Sequence, residues 1–511
     1  MKIARPCAPQ SLAVLTGVLL TLSFPPFSLS FLAWFAWIPL WVALERTHWQ
    51  HGFRLGYITG LIYTLGTLNW IANNRGTNLW VAGSSMAGTV LYLSLYFGLY
   101  GYLIARGGRI LGRRVVWIAP VLYVGVEYLF SWGFMGFPWL SLAMTQYLFL
   151  PIQQLAELGG IYLISFWVML INAAIYEIEF REWPGKTQLK AWIGLALFIA
   201  VSFGYGGLRM WMVDRLPSPT IKIGVIQSNV DPIGKWARDK KLQQVDNLLL
   251  KTDQSRVAGA RIIVWPETAV PAYLMYYPAL FNRIQNYAIK HRISILTGSL
   301  HHERRGAELA IFNSAFFFTP AAEVHIYHKQ HLVPFAERLP LVDVFPQLKI
   351  LNFGQANFTS GTKSSVFQMG QDGELVKMGT TICYESSDPV LFRRFVKNGA
   401  QVMSIITNDG WLGRSIGPYQ HLAVARLRAI EHRIPIVRSA QTGISAYIRP
   451  DGVISHSIPL NQAGYFVVAA PLKHPLTLYT RWGDWFGILM LCGMLGMTVW
   501  FILKRGPHAS N

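Results

Sequence analysis

Gly379-Thr380-Thr381-Ile382-Cys383-Tyr384-Glu385 ends an apolar, β-branched run on a cysteine, the one cysteine of a long, less hydrophobic stretch of the chain. β-Branched side chains favour strands, and Ser386-Ser387-Asp388-Pro389 then supplies the polar cap and proline that open a helix. A strand running into a helix makes an exposed corner, where a nucleophile can meet a substrate. Free cysteine is also among the most buried residue types, so the same stretch fits a core thiol. The surrounding sequence decides between these two readings.

The 511 residues are 52% apolar and 14% charged, with 19 Trp. That is too apolar for a soluble enzyme of this length, and a membrane section is expected. The formal net charge is +20, and residues 214–481 hold 30 Lys+Arg against 18 Asp+Glu. The rest of the surplus lies in short segments between hydrophobic runs. A basic face against phospholipid phosphates fits this distribution better than nucleic-acid binding, and no nucleic-acid partner is expected. Cys7, Cys383 and Cys492 are too widely spaced for a disulfide framework or a metal motif, so no cofactor or metal is expected.

Hydrophobic runs at about 11–24, 28–44, 55–72, 86–105, 115–133, 158–176, 190–208 and 485–503 approach the length that crosses a bilayer, which gives about eight expected spans. The first run is short and follows Lys2 and Arg5, the pattern of a signal peptide. Ser23-Phe24-Pro25-Pro26-Phe27 offers no small-residue cleavage site, so a retained pair of spans is the expectation. Alternate segments carry Lys2 and Arg5, Arg46 and Arg54, Arg106, Arg109, Arg113 and Arg114, Arg181, Lys186 and Lys190, and Lys504 and Arg505. The intervening short loops carry little beyond Arg75. Basic loops stay in the cytoplasm. Both termini are therefore expected there, with 1–211 as transmembrane helices one to seven, 212–483 as a domain on the periplasmic side of a bacterial inner membrane, and 484–511 as the eighth helix and a cytoplasmic tail. Glu127 lies at membrane depth, either for function or in a buried structural hydrogen bond. Gly136-Phe137-Pro138-Trp139-Leu140 fits an aromatic anchor at the outer interface.

Residues 212–483 alternate strand and helix patterns. Strands are expected over Ile221–Val230, Ala260–Trp265, Ile293–Gly298, about 311–319, about 324–329, up to Cys383, and over Val402–Thr407, with further strands to about 471. Helices are expected over Asp239–Val257, Pro278–Lys290, about 389–398 and about 418–432. Such alternation implies helices covering a sheet, with chemistry at strand ends. Three polar residues end apolar strands: Glu267 after Trp265-Pro266, Lys329 within Tyr327-His328-Lys329-Gln330-His331-Leu332-Val333-Pro334-Phe335, and Cys383. Glu337 follows soon after. Taken singly, each has a plain structural explanation. Together they supply a base, a cation and a nucleophile.

These residues resemble the Glu-Lys-Cys triad of the nitrilase superfamily of carbon–nitrogen hydrolases. The whole chain, spans included, is similar to its membrane-integrated branch, the bacterial apolipoprotein N-acyltransferase family. The likeness runs through Ser23-Phe24-Pro25-Pro26, Gly136-Phe137-Pro138-Trp139, Trp265-Pro266-Glu267, Ile382-Cys383-Tyr384-Glu385, Asn408-Asp409-Gly410-Trp411-Leu412-Gly413, Gln420-His421, Arg428-Ala429-Ile430-Glu431 and Thr442-Gly443-Ile444-Ser445. Two positions depart from the family pattern. Ala336 stands in Pro334-Phe335-Ala336-Glu337 where the family usually has glycine, and Leu412 stands where an aromatic is common.

The resemblance implies an αββα sandwich carried on a multi-span helical membrane bundle. It implies transfer of the sn-1 acyl chain of a membrane phospholipid to the α-amino group of a diacylglyceryl-cysteine at a lipoprotein N-terminus. Glu267 would act as base, Cys383 as the thioester-forming nucleophile, and Lys329 with a backbone N–H near Tyr384 as oxyanion donors. Glu337 would support Lys329, and Glu385 would brace the nucleophile loop. Trp236, in Ile233-Gly234-Lys235-Trp236, and Trp411 would meet substrate, although Trp236 fits an interface anchor equally well. A membrane-tethered amidase using the same triad is the alternative enzyme, and a sensor or transporter with an outer ligand-binding domain is the alternative outside enzymes.

Overall fold

The computed structural model describes residues 8–504, apart from 134–135, 233, 238–239, 307, 340, 343, 346, 348–349, 351–355 and 372–373. Lys2, Arg5, Cys7, Ile233, Asp239 and Arg505, used in the sequence reading, lie outside the described residues. The chain divides into two units, one of Met1–Ala72, Gly83–Trp211 and Arg481–Asn511, the other of Asn73–Ala82 and Met212–Thr480.

The first unit is helical. Four helices are long and apolar enough to cross a membrane: Leu79–Trp117, Ala156–Phe180, Gly185–Asp214 and Trp485–Leu503. The other expected runs form shorter elements, so length and composition alone reach four spans and not eight. Pro9–Ser23 stops just before Pro25-Pro26, and Pro120 lies in the first turn of Ala119–Ser131. Gly52–Leu68 has 17 residues. The run expected at 28–44 breaks into a 3-10 helix, Ser30–Trp34, and a helix, Ile38–Glu45.

A broken helix in an apolar setting leaves backbone groups that need partners. Asn172 supplies them: its Oδ1 accepts from Trp37 N at 3.0 Å and its Nδ2 donates to Ala33 O at 2.7 Å. Glu127 is likewise enclosed by donors. Ser141 and Ser165 hydroxyls reach its Oε1 at 2.6 and 2.9 Å, and Leu142 N reaches Oε2 at 3.4 Å. Of the two readings of Glu127, the buried structural hydrogen bond is the one these contacts describe.

The second unit holds two six-strand paths. The first sheet runs β13 (Gly464–Pro471), β1 (Thr220–Gln227), β2 (Ile262–Val264), β4 (Ser294–Arg305), β5 (Glu308–Phe318), β6 (Val324–His328), with β3 (Val270–Tyr273) beside β4. The second runs β12 (Ile454–Ile458), β11 (Ser445–Ile448), β10 (Ile436–Ala440), β9 (Val402–Thr407), β8 (Glu374–Ile382), β7 (Phe367–Gln371). β1, β2 and β4 are parallel, as are β8, β9 and β10, and the outer pairings are antiparallel. β3 and β7 are not among the expected strands.

Strand alternation sends the two faces of the first sheet into different cores. Ile221, Ile223 and Val225 pack with Ile382, Val402 and Ile405 of the second sheet and with Phe392, Leu422 and Ala425. Ile226, Ile263 and Ile295 face the other way, onto Val245 and Leu248 of helix Lys240–Val257 and Leu280 and Ile284 of helix Pro278–His291. The layers are helix, sheet, sheet, helix. Glu267 lies just beyond the carboxyl end of β2 and Cys383 just beyond that of β8, each strand belonging to a parallel pair of its own sheet.

Candidate active site

Glu267 sits beyond β2, against β4. A Cβ placed on Gly298 of β4 would lie 2.4 Å from Thr268 N and 2.6 Å from Glu267 Cα, so only glycine lets the two backbones approach this closely. Lys329 directly follows β6, its N–H held by Asn313 O at 2.9 Å. Its ammonium lies 2.7 Å from Glu337 Oε2 and 3.8 Å from Glu267 Oε1, and its side chain is 1% exposed. Asn313 Nδ2 donates to Glu267 Oε1 at 2.7 Å and to Glu337 Oε1 at 3.2 Å. Glu267 Oε2 is buried with no hydrogen-bond partner among the described residues.

One cation between two carboxylates fixes the charges. Burial works against the Lys329 ammonium, but Glu337 and Glu267 outweigh it and hold the group above the ordinary lysine range. Burial raises Glu267, with Glu337 adding to the rise and Lys329, Asn313 and Lys235 opposing it. The net effect holds the Glu267 carboxyl above the usual carboxylate range, with Oε2 left without a hydrogen bond among the described residues.

Cys383 follows β8 in the left-handed region, φ +54°, a costly conformation for a residue with a Cβ. Several contacts hold the corner in place. Glu385 accepts from Ile382 N at 2.8 Å, Tyr327 Oη at 2.7 Å, Gln330 N at 2.6 Å and His331 N at 3.2 Å, joining the corner to the segment around Lys329. The Cys383 carbonyl is met by Ser386 Oγ at 3.0 Å and His421 Nε2 at 3.1 Å. His421 in turn lies 2.9 Å from Asp409, which is paired with Arg438. Burial pushes the half-buried Cys383 thiol up to about 12, with the Glu267 charge adding to it and Lys329 opposing. The resting sulfur therefore keeps its proton.

Tyr384 is half-buried beside Cys383. Trp236, 38% exposed, lies in the short helix Gly234–Trp236, and half-buried Trp411 lies in the turn Asp409–Leu412. Lys235, which precedes Trp236, is completely buried. Its Nζ donates to Thr268 O at 3.0 Å and to Thr268 Oγ1. With its amide oxygen turned inward, Asn408 accepts from both Lys235 Nζ at 3.3 Å and Trp411 Nε1 at 3.2 Å. The Ala336 departure is accommodated: positive φ in that loop falls on Phe335, at +65°, and not on Ala336. Leu412 is half-buried and is followed by Gly413, which has φ +59°.

Asn313, Lys235, His421 and Asp409 join the site without being among the residues expected in it. Asn313 gave a signal, an amide inside the aromatic run Ile311-Phe312-Asn313-Ser314-Ala315-Phe316. Elsewhere among the described residues, His301, Glu303 and His328 could share a metal ion, with Glu303 Oε1 3.8 Å from His301 Nδ1 and 3.4 Å from His328 Nε2.

Two sheets between helices, with a carboxylate, a lysine and a cysteine at their strand ends, define a carbon–nitrogen hydrolase domain, and the carbon–nitrogen hydrolase family model matches residues 222–474. The apolipoprotein N-acyltransferase N-terminal domain model matches residues 16–174. An apolipoprotein N-acyltransferase from Geobacter metallireducens is 34% identical over 510 residues, covering 97% of this chain and 96% of its own. One from Chlorobaculum tepidum is 30% identical and covers 93% of each chain. A solved amidase of the nitrilase superfamily from Nesterenkonia AN1 covers 50% of this chain and 92% of its own, with 17% identity and a TM-score of 0.38. The chain belongs to the apolipoprotein N-acyltransferase family.

Proposed function

We propose that the protein moves the sn-1 acyl chain of a membrane phospholipid to the α-amino group of the diacylglyceryl-cysteine that begins an apolipoprotein, by way of a thioester on Cys383. The observation that carries this reading is Glu267 Oε2, a buried carboxylate oxygen without a partner in a site that also holds Lys329 and the Cys383 corner.

The donor ester docks with its carbonyl carbon against the thiol. Glu267 Oε2 takes the thiol proton as sulfur attacks, so the anion forms only as it is consumed. Lys329, held charged by two carboxylates, stabilises the oxyanion, with a backbone N–H near Tyr384 as second donor. Collapse expels the lysophospholipid alkoxide, which Glu267 protonates. The apolipoprotein amine then gives its proton to Glu267 and attacks the thioester. Thiol is released and an amide remains. Glu337 orients Lys329, Glu385 braces the corner, and Trp236 and Trp411 contact the acyl chains.

Both substrates are anchored by acyl chains, each buried methylene holding them by roughly 0.8 kcal/mol, which makes extraction into water prohibitive. A membrane-tethered thiol removes that cost. On this reading the chain has eight spans within 1–211 and 484–511, short helices included, with both termini cytoplasmic and residues 212–483 on the periplasmic side of the inner membrane.

The test is intact-mass analysis of the full chain in micelles after exposure to phospholipid labelled in the sn-1 chain, followed by addition of a diacylated lipopeptide. One labelled acyl group on Cys383, then on the peptide amine, is expected. Release of the label as free fatty acid with no gain on the peptide would identify a hydrolase instead, in which water resolves the thioester.

A further inference from the structure

Lysine is rarely buried without an ionised partner, because desolvating an ammonium is among the costliest placements in a protein interior. Lys235 is completely buried, and among the described residues no carboxylate lies within ion-pair distance of it. Its three ammonium protons match three neutral acceptors: Thr268 O, Thr268 Oγ1 and Asn408 Oδ1. Each acceptor belongs to a part of the active site. Thr268 follows Glu267 and sits at φ +46°, and Asn408 also holds the Trp411 indole. Lys235 itself precedes Trp236, and its backbone is fixed by Asp231 O at 3.2 Å and by Gln244 Nε2 at 3.1 Å.

We propose that Lys235 is a positioning residue of this site: its ammonium clamps the Gly234–Trp236 loop and the Asp409–Leu412 turn onto the Glu267 strand end, and its charge favours the carboxylate form of Glu267. The inference rests on Glu267 serving as the base of the proposed reaction. The charges that face Glu267 are Lys329 from the end of β6, Glu337 from the loop beyond it, and Lys235 from the loop after β1. Lys329 is shared between both carboxylates, and Lys235 adds a second, smaller positive charge that opposes the rise burial imposes on Glu267. Burial lowers the Lys235 ammonium to about 7, with Glu267 pulling the other way. A lysine kept in so unfavourable a setting is the pattern of a residue retained for function at the expense of stability.

The experiment compares the full-length wild-type chain in micelles with Lys235→Met, which removes charge and clamp, and Lys235→Gln, which keeps two donors without the charge. Two rates are followed against pH: formation of the phospholipid-derived acyl adduct on Cys383, and alkylation of Cys383 by iodoacetamide, which needs no acyl donor. The expected result is a thermal midpoint unchanged or raised in Lys235→Met, adduct formation slowed about ten- to a hundredfold in both variants, and the acid limb of both profiles moved up by about one pH unit. Wild-type rates and profiles in both variants would overturn the proposal. So would a lowered midpoint, or loss of folded protein, without a displaced profile, because that marks a purely structural lysine. A displaced alkylation profile in a chain that forms no acyl adduct would leave Lys235 in place and sink the acyl-transfer reading instead.

Discussion

Asn313 Nδ2 donates to Glu267 Oε1 at 2.7 Å, and this single bond divides the carboxylate into a hydrogen-bonded oxygen and an unbonded one. The hydrogen-bonded oxygen is oriented by the amide and lies nearer Lys329. Oε2 is buried without a hydrogen-bond partner among the described residues, and in the proposed reaction it receives the proton. A hydrogen bond donated to the charged form of an acid favours that form, so Asn313 acts with Lys329 against the rise that burial imposes on Glu267.

Asn313→Ala should therefore raise Glu267 further and loosen its orientation. Adduct formation on Cys383 is expected to slow by about ten- to a hundredfold near neutral pH, with partial recovery as pH rises through the displaced acid limb. Asn313→Asp adds a third carboxylate beside two others and should be worse. Single-turnover rates across pH, read by intact mass, check both. An Asn313→Ala enzyme with an unmoved profile would contradict the division of labour.

Glu385 accepts four hydrogen bonds from both sides of the corner that forces Cys383 into positive φ. Replacing one oxygen by NH2 turns a donor against donors. Glu385→Gln should cost about 2–4 kcal/mol of stability and most of the activity, since charge-assisted bonds to a buried acceptor are lost together. Chemical denaturation of the full chain, beside adduct yield, measures the two losses. Full stability with activity lost would mean that Glu385 acts on substrate and not on the corner.

Much of this site is written locally in the sequence. Glu267 stands just beyond the apolar strand β2, Cys383 beyond the β-branched end of β8, and Lys329 directly follows β6, and such strand ends can be read from the sequence pattern. Glu127 could be flagged as anomalous but not explained, because its partners Ser141 and Ser165 come from segments 14 and 38 residues away. Asn313 and Lys235 act through partners 46 and 33 residues distant, and no local pattern announces such a pairing. The shortened helices were illegible for a related reason. Asn172 makes the break between Trp34 and Ile38 tolerable, so an apolar run that reads as one continuous span folds as two pieces.

Lys235 also makes stability depend on pH in a definite direction. Its folded value near 7 lies below the ordinary 10.5, so between these values the unfolded chain binds the extra proton. Stability then rises with pH across that window, and the burial penalty is fully present below it. The thermal midpoint of Lys235→Met minus that of wild type should be largest below about pH 7 and shrink towards pH 10. A difference that is flat across the range would show that Lys235 stays charged when buried.

Gly298→Ala tests the close approach that seats Glu267, the proposed base. The added methyl would meet the Glu267–Thr268 backbone at 2.4–2.6 Å, and backbone cannot swing aside as a side chain can. Destabilisation by about 1–3 kcal/mol is expected, with adduct formation lost out of proportion because Glu267 is displaced from Asn313 and Lys329. Calorimetry with the single-turnover assay reads both. Normal turnover would mean that β4 yields locally and the strand end does not depend on glycine.

Arg75 was the charge that stood out in loops otherwise poor in Lys and Arg, and the segment Asn73–Ala82 explains it by belonging to the second unit. Its guanidinium lies 3.1 Å from Asp231 Oδ1 and its backbone N–H donates to Trp411 O at 2.8 Å. The ion pair is about half exposed on both sides, so Arg75→Ala should cost about 0–1 kcal/mol, less at high salt, while the backbone bond survives. Asp231 does more, because its Oδ2 also accepts from Gly234 N at 2.9 Å, at the start of the turn that carries Lys235 and Trp236. Asp231→Ala should therefore cost about 1–2 kcal/mol and slow adduct formation, whereas Arg75→Ala leaves the rate within about twofold. Equal damage from the two variants, in thermal midpoint and single-turnover rate, would place the weight on the Arg75 side chain and refute this ordering.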